Sequence, residues 1–274
     1  MKQKRKCAFL FSPRFSYNER SNLFMKNQFK DYELTQNFKV PVDMYAIIRL
    51  DGRAFHTFTK DKTLNLKRPY DTRFMDAMNE GAKMVIESVL PNALLTYVAS
   101  DEVSILFRAD GNTPFDRKMN KLLTLATSAM SVGFNKSIPT DTPALFDGRF
   151  AFIGHVDEIQ DYFDWRRVDA WKNMISNAAY ELYSSHELHG KSTGERLEML
   201  VGTKYETMDN AAVWGRYITR ERQVAYSIGW PTSGVERTVF STEAATRETS
   251  DQRIKNIIDQ HNRIKELEAI LDEL

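Results

Sequence analysis

A single cysteine, Cys7, is all the thiol chemistry the chain offers, which excludes a disulfide framework and a cysteine-based metal site. No apolar run approaches the ~20 residues of a membrane-spanning helix. The basic start, "MKQKRKCAFLFSPRF", holds an apolar patch from Cys7 to Phe11 that is too short for a signal-peptide core. These absences predict a cytoplasmic protein with no membrane partner. Internal repeats and low-complexity tracts are also missing. What is present is ordinary in amount: 42% hydrophobic content over 274 residues suffices for one large domain or two small ones. The net charge of +1 hides an asymmetry. Residues 1–73 hold sixteen Lys and Arg against seven Asp and Glu, so that part carries +9 and the rest −8. Such a split suits an anionic partner docking at one end, and equally a solvated surface.

Residues 1–24 read as an irregular polar extension. The compact fold is expected to start at Met25, where "MKNQFKDYE" has helical character. A strand follows around 45–50 and a loop at "TKDKTLNLKRPYD". A helix over roughly 72–90 carries Phe74, Met78, Met84, Val85 and Val89 near helical spacing and is stopped by Pro91-Asn92. "ALLTYVASDEVSILF" reads as a β-hairpin hinged on Ser100-Asp101-Glu102. "FDRKMNKLLTLATSAMSVGFNK" is a long amphipathic helix ending near Pro139, "GRFAFIGHV" a strand, and the segment from Val156 to Leu188 mostly helical. The order is β-α-β-β-α-β, the split βαβ pattern of ferredoxin-like domains and polymerase palms, an α+β fold. Additional helices and short strands are expected after it. The expected divisions are the extension 1–24, a palm-like core 25–155, a helical remainder 156–240 and a tail helix 241–274. In the tail, Ile257, Ile264 and Leu271 recur every seven residues with Leu267 and Leu274 offset by three, while Gln260 spoils one position. That seam suits packing on the body or on another subunit.

The stretch "YAIIRLDGRAFH" runs a strand straight into Asp51-Gly52, and turn chemistry alone explains most Asp-Gly pairs. A second oddity lies at the hairpin. Its tip has no glycine, and two adjacent carboxylates, Asp101 and Glu102, sit between apolar strands. In a split βαβ sheet the first strand and this hairpin are close together, so Asp51 and Asp101 can meet at one edge. Paired carboxylates repel unless a cation lies between them, and Mg²⁺ takes one or two carboxylates plus substrate phosphates. Two such ions serve phosphoryl or nucleotidyl transfer. The alternative is a pair of surface carboxylates. The backbone amides from Arg53 to His56 can cradle a polyphosphate. "LKRPYDTR" sets Lys67, Arg68 and Arg73 around Asp71, which otherwise serves as a helix N-cap.

Four segments in order, "IIRLDGRAFHTFTK", "KRPYDTRFMDAM", "YVASDEVSILF" and "FDGRFAFIGHVDEIQDYFDWRRVDAWKNMISN", resemble the motifs of the tRNA-histidine guanylyltransferase family and its Thg1-like 3′–5′ RNA polymerase branch. The similarity covers roughly residues 25–230. It implies a palm-like catalytic domain with two Mg²⁺ ions that adds nucleotides to RNA 5′ ends, consuming GTP or another nucleoside triphosphate and ATP. Position by position, it implies Asp51 and Asp101 as metal ligands, helped by the carbonyl of Gly52, with Glu102 as their acidic neighbour in catalysis. It implies a nucleotide site made of Gly52, Arg53, Ala54, Phe55, His56, Arg68, Asp71 and Ser100. Arg68 stands where the family commonly has lysine, which keeps charge and changes geometry. The implied partner is tRNA or another RNA with an accessible 5′ end, and the implied assembly is a homo-oligomer, dimer or tetramer.

The sequence departs from the family's eukaryotic guanylyltransferases in "WKNMISN". Asn173 and Asn177 are kept, Trp171 replaces His and Ser176 replaces Tyr. The later Asp-Lys-Asn-Glu element survives at best as Asp209-Asn210. Both elements are associated with recognition of the histidine tRNA, so templated 5′-end repair is expected ahead of strict guanylylation. Trp165, Arg166 and Arg167 are candidates for stacking on a base and contacting an RNA backbone, against a core tryptophan beside a solvated basic face. His186 and His189 in "HELH" suit a metal by spacing, but no third ligand is near, which favours a solvated helix end. Phe9, Phe11, Phe15 and Tyr17 suit an RNA arm, a subunit clasp or disorder. The alternative activity is that of a palm-domain nucleotide cyclase or a small-molecule nucleotidyltransferase. A non-catalytic RNA-binding scaffold is a third, disfavoured by the retained carboxylates.

Overall fold

The computed structural model describes residues 38–226 and 234–272. The extension 1–24, the expected start at Met25, Cys7, the four N-terminal aromatics and Leu274 of the tail lie outside the described residues. In chain order the elements are β1 (Tyr45–Gly52), α1 (Phe55–Phe58), α2 (Thr72–Ser88), β2 (Leu95–Ala99), β3 (Glu102–Arg108), α3 (Met119–Ser137), β4 (Phe146–Ile153), α4 (Glu158–Tyr180), α5 (Thr193–Leu200), α6 (Asn210–Val213), β5 (Arg216–Tyr226), β6 (Gly234–Ala244) and α7 (Arg247–Asp272).

The strands form one antiparallel six-stranded sheet in the order β4-β1-β3-β2-β5-β6. Its first four strands with α2 and α3 are the expected βαββαβ unit. β1 is buried on both faces. Ala46, Ile48 and Leu50 join a core under α2 and α3, while Tyr45 and Ile47 join a second core with Ile159 and Phe163 of α4 and Ile254 and Ile257 of α7. Coverage on both sides is why the strand opens on the unbroken apolar run Tyr45–Ile48.

Local signals set the helix ends. Asp71 caps α2 by accepting from the Arg73 amide, and the helix closes just before Pro91. α2 and α3 approach closely because both are glycine at the crossing. A Cβ on Gly133 would lie 2.7 Å from the Gly81 Cα and 2.9 Å from the Glu80 carbonyl oxygen.

Three differences from the sequence reading have physical causes. α3 begins at Met119 rather than Phe115, because Phe115, Asp116 and Arg117 hold left-handed backbone in a 3₁₀ turn. That turn lets the Met119 amide donate to the Phe38 carbonyl. The segment 156–240, read as helical with short strands to follow, is helical to Val213 and then gives the eleven-residue strands β5 and β6. The tail divides into two parts: Ile254 and Ile257 are buried, whereas Leu267, Ile270 and Leu271 are exposed. No described helix is long and apolar enough to cross a membrane.

Candidate active site

The corner where β1 ends is built by the β1–β3 ladder, whose register sets Asp51 directly opposite Glu102. The next rung is a hydrogen bond from the Gly52 amide to the Asp101 carbonyl at 3.0 Å. Ser100, at φ 50, carries the hairpin turn in left-handed backbone, so no glycine is needed there. Gly52 itself is required: a Cβ at this position would collide with the Phe55 ring. Burial, and after it the charge of Asp51, raises the Asp101 carboxyl above its usual value. Two hard carboxylates and the nearby Gly52 carbonyl fit Mg²⁺, which completes its shell with water and phosphate oxygens. Among the described residues no group of three or more His, Cys, Asp or Glu is arranged for a metal.

Glu102 has a different environment. Arg166 donates from Nε to Oε1 at 2.7 Å and from Nη2 to Oε2 at 2.8 Å, and Arg49 Nε stands 3.5 Å from Oε2. Burial still raises the Glu102 carboxyl, against the pull of these two arginines. With both oxygens engaged, Glu102 anchors α4 to the hairpin. Seven residues on, two turns along the same face of α4, Asn173 is brought to the corner.

Two clefts meet here. The larger, about 510 Å³, is lined by His56, Lys60, Lys67, Arg68, Asp71, Ser100, Asp101, Asn173, Asn177, Tyr180 and Arg216, among others. The smaller, about 340 Å³, is lined by Arg49, Asp51, Glu102, Arg166 and Asp169. Ser100, Asp101 and Asn173 belong to both.

The structure takes the Arg53 amide and the Asp71 carboxylate out of the expected nucleotide site, whereas Phe55 and His56 line the larger cleft. Phe55 is buried in an aromatic cluster with Phe58, Phe74, Phe134 and Phe146, so its ring packs the core. The Arg53 amide donates to the Leu145 carbonyl at 2.8 Å, which removes it from the expected cradle. Ala54, at φ 58, starts α1 without a side-chain cap, and His56 is exposed with Nε2 2.8 Å from Lys60 Nζ. Asp71 spends its carboxylate internally: it accepts from the Lys67 and Arg73 amides and from the Arg73 guanidinium. Those donors, Arg73 first, hold it well below the usual carboxylate range.

The basic pair of α4 is not a solvated face, because both guanidinium groups are enclosed and ion-paired. Arg166 is committed to Glu102 and Asp169, and Arg167 is buried against Asp164 and the Ala245 carbonyl. Trp165 is 55% exposed, which excludes the core, and lies 4.4 Å from the Arg166 guanidinium. Trp171 stacks flat on Trp214 at 5.9 Å, and Ser176 Oγ accepts from Arg196 at 3.0 Å. Asp209 caps α6. His186 and His189 sit in exposed turns flanking buried Leu188, rather than on a helix. Arg49 and Arg216 were not singled out from sequence. Arg49 lies two residues before Asp51 on the same strand face, a signal that was available; Arg216 had none.

Residues 26–154 match the family described as Thg1, tRNAHis guanylyltransferase. The tRNA(His) guanylyltransferase of Debaryomyces hansenii is 32% identical over 178 residues, covering 61% of this chain and 64% of its own. The probable tRNA(His) guanylyltransferase of Drosophila melanogaster is 30% identical over 151 residues, covering 53% and 51%. The chain thus spans between half and two thirds of the length of these two relatives. Among solved structures, a bacterial Thg1-like protein in complex with ATP matches with TM-score 0.68 and 26% identity, over 84% of this chain and 95% of that one. A bacterial Thg1-like protein in complex with GTP gives TM-score 0.66, also at 26% identity, over 84% of this chain and 98% of that one.

Proposed function

We propose that the chain, which matches the tRNAHis guanylyltransferase family model through residues 26–154, is a Mg²⁺-dependent nucleotidyltransferase extending the 5′ end of tRNA or a similar RNA in the 3′–5′ direction. The observation that carries this reading is the shared wall. Asp101, with Ser100 and Asn173, faces both clefts, so groups from two substrates can meet beside the Asp51–Asp101 pair. Mg²⁺ held by Asp51, Asp101 and the Gly52 carbonyl would polarise a phosphoryl oxygen and favour the alkoxide form of an attacking hydroxyl.

The chain's own residues supply the rest. Lys60, Lys67 and Arg68 line the larger cleft and balance polyphosphate charge. Ser100 and Asn173 offer hydrogen bonds at the shared wall. The Glu102–Arg166 pair fixes α4 against the hairpin and so fixes Asn173. GTP and ATP enter as substrates by analogy with the ligands of the bacterial Thg1-like proteins. Templated 5′-end repair is favoured over strict guanylylation of histidine tRNA, because Trp171 and Ser176 are engaged within the chain, by Trp214 and Arg196.

The test is incubation with Mg²⁺, ATP, labelled GTP and two RNAs: a histidine tRNA with a 5′-monophosphate, and a tRNA truncated at its 5′ end. Label entering the truncated tRNA only opposite a complementary base is the expected result. Label on the intact histidine tRNA alone replaces repair with guanylylation. GTP consumption without RNA labelling removes RNA as the substrate and leaves a cyclase-like activity.

A further inference from the structure

Arg166 and Arg167 are enclosed by the fold and each holds a carboxylate. Arg216, at the start of β5, is 3% exposed and does not. Its Nε donates to Asn79 Oδ1 at 2.9 Å, Nη1 to the Ala211 carbonyl at 3.4 Å and Nη2 to the Met75 carbonyl at 3.3 Å. All three acceptors are neutral, and no carboxylate among the described residues reaches ion-pair distance. Burial pushes its pKa down to about 10, with Tyr97, Asp76 and Asp209 opposing from further away. A buried cation without a counter-charge is unfavourable unless something anionic completes it. Arg216 also lines the larger cleft, together with Lys67 and Arg68.

We infer that Arg216 is a phosphate-anchoring residue of the larger cleft, its missing counter-ion being a phosphate of the substrate. The inference rests on the nucleotidyltransferase reading and extends it to a residue outside the family motifs quoted above. The competing role is a strap, in which the guanidinium only ties β5 to α2 and α6 through the three carbonyl-type acceptors. The two roles separate on charge. A phosphate partner is satisfied in part by lysine, whereas the strap's three-point geometry is not.

The experiment measures binding to the full chain and to Arg216→Met and Arg216→Lys by calorimetry. The probes are GTP, inorganic tripolyphosphate, guanosine, and one RNA oligonucleotide with either a 5′-monophosphate or a 5′-hydroxyl. The expected result is that Arg216→Met weakens GTP and tripolyphosphate by about tenfold or more, spares guanosine, and is largely rescued in Arg216→Lys. If instead GTP is unchanged and the preference for 5′-phosphorylated RNA disappears, the anchored phosphate is that of the RNA. Unchanged binding of every phosphate-bearing probe overturns the inference. So does an Arg216→Lys variant as impaired as Arg216→Met, with guanosine weakened alongside. Should Arg216→Met not fold, Arg216→Lys decides alone by keeping or losing tripolyphosphate. A wild-type chain that binds neither GTP nor 5′-phosphorylated RNA overturns the functional reading itself, an outcome distinct from failure of the Arg216 assignment.

Discussion

Across 64 positions of sequence, Arg166 grips both carboxylate oxygens of Glu102, at 2.7 and 2.8 Å. The side chains are 11% and 12% exposed, so the pair is nearly enclosed. Removing one partner of such a pair strands the other, at about 3 kcal/mol. Arg166→Met is therefore expected to lower stability by that order in urea unfolding, and the double variant Arg166→Met/Glu102→Gln to recover part of it. Strictly additive losses would show that the two groups do not depend on each other.

Magnesium is expected to raise the melting temperature of the wild-type chain over that in EDTA. At about 100 times its dissociation constant the stabilisation is about 2.7 kcal/mol. Asp51→Asn and Asp101→Asn should each abolish nucleotide transfer and most of this Mg²⁺-dependent shift while the fold stays intact by circular dichroism. A full Mg²⁺ shift in both variants would move the metal site elsewhere.

Asp71 gives a pH signature. Arg73, followed by the Lys67 and Arg73 amides, holds its carboxyl below the usual range, so the fold favours the ionised form. Stability from this group is complete above the unfolded carboxylate range, about pH 4, and is lost as pH falls below it. Asp71→Ala is expected to cost about 1–2 kcal/mol at pH 7, the range for a lost N-cap, and less at pH 3. Urea midpoints at the two pH values measure this. An equal loss at both would mean that the charge of Asp71 contributes nothing.

Gly133→Ala would push a methyl group into the Gly81 backbone, and neither helix can retreat without opening the core. A loss of about 2 kcal/mol or more is expected from overpacking, read as a lower denaturation midpoint with unchanged slope. A neutral substitution would show that α2 and α3 separate easily.

The βαββαβ unit was legible because its punctuation is local: Asp71 before α2, Pro91 after it, Pro139 after α3. Asp51, Asp101 and Glu102 stood out because a hairpin tip carried carboxylates where glycine is usual. β5 was not legible. In "RYITRERQVAY" charged residues interrupt the apolar alternation, and its place in the sheet comes from pairing with β2 and β6. The enclosure of Arg166 and Arg167 was not legible, because each is paired with a carboxylate inside the fold. Neighbours on a helix point about 100° apart, and these two reach different partners in different parts of the fold. Arg216 was illegible, since its distinction is the absence of a carboxylate partner, which only the packing of α2 and α6 against β5 reveals.

Asp51 lies on the second strand of the sheet, and among the described residues nothing pairs with the outer side of β4. The Asp51 corner is thus one strand from a sheet edge that no described strand pairs with, and the side chains there, Asp147 and Arg149, are charged and exposed. Charges of this kind discourage another strand from pairing there. They leave room for a polymer to lie alongside. On the proposed function, an RNA would bring its terminus to the corner past the β4 edge rather than by threading through the protein.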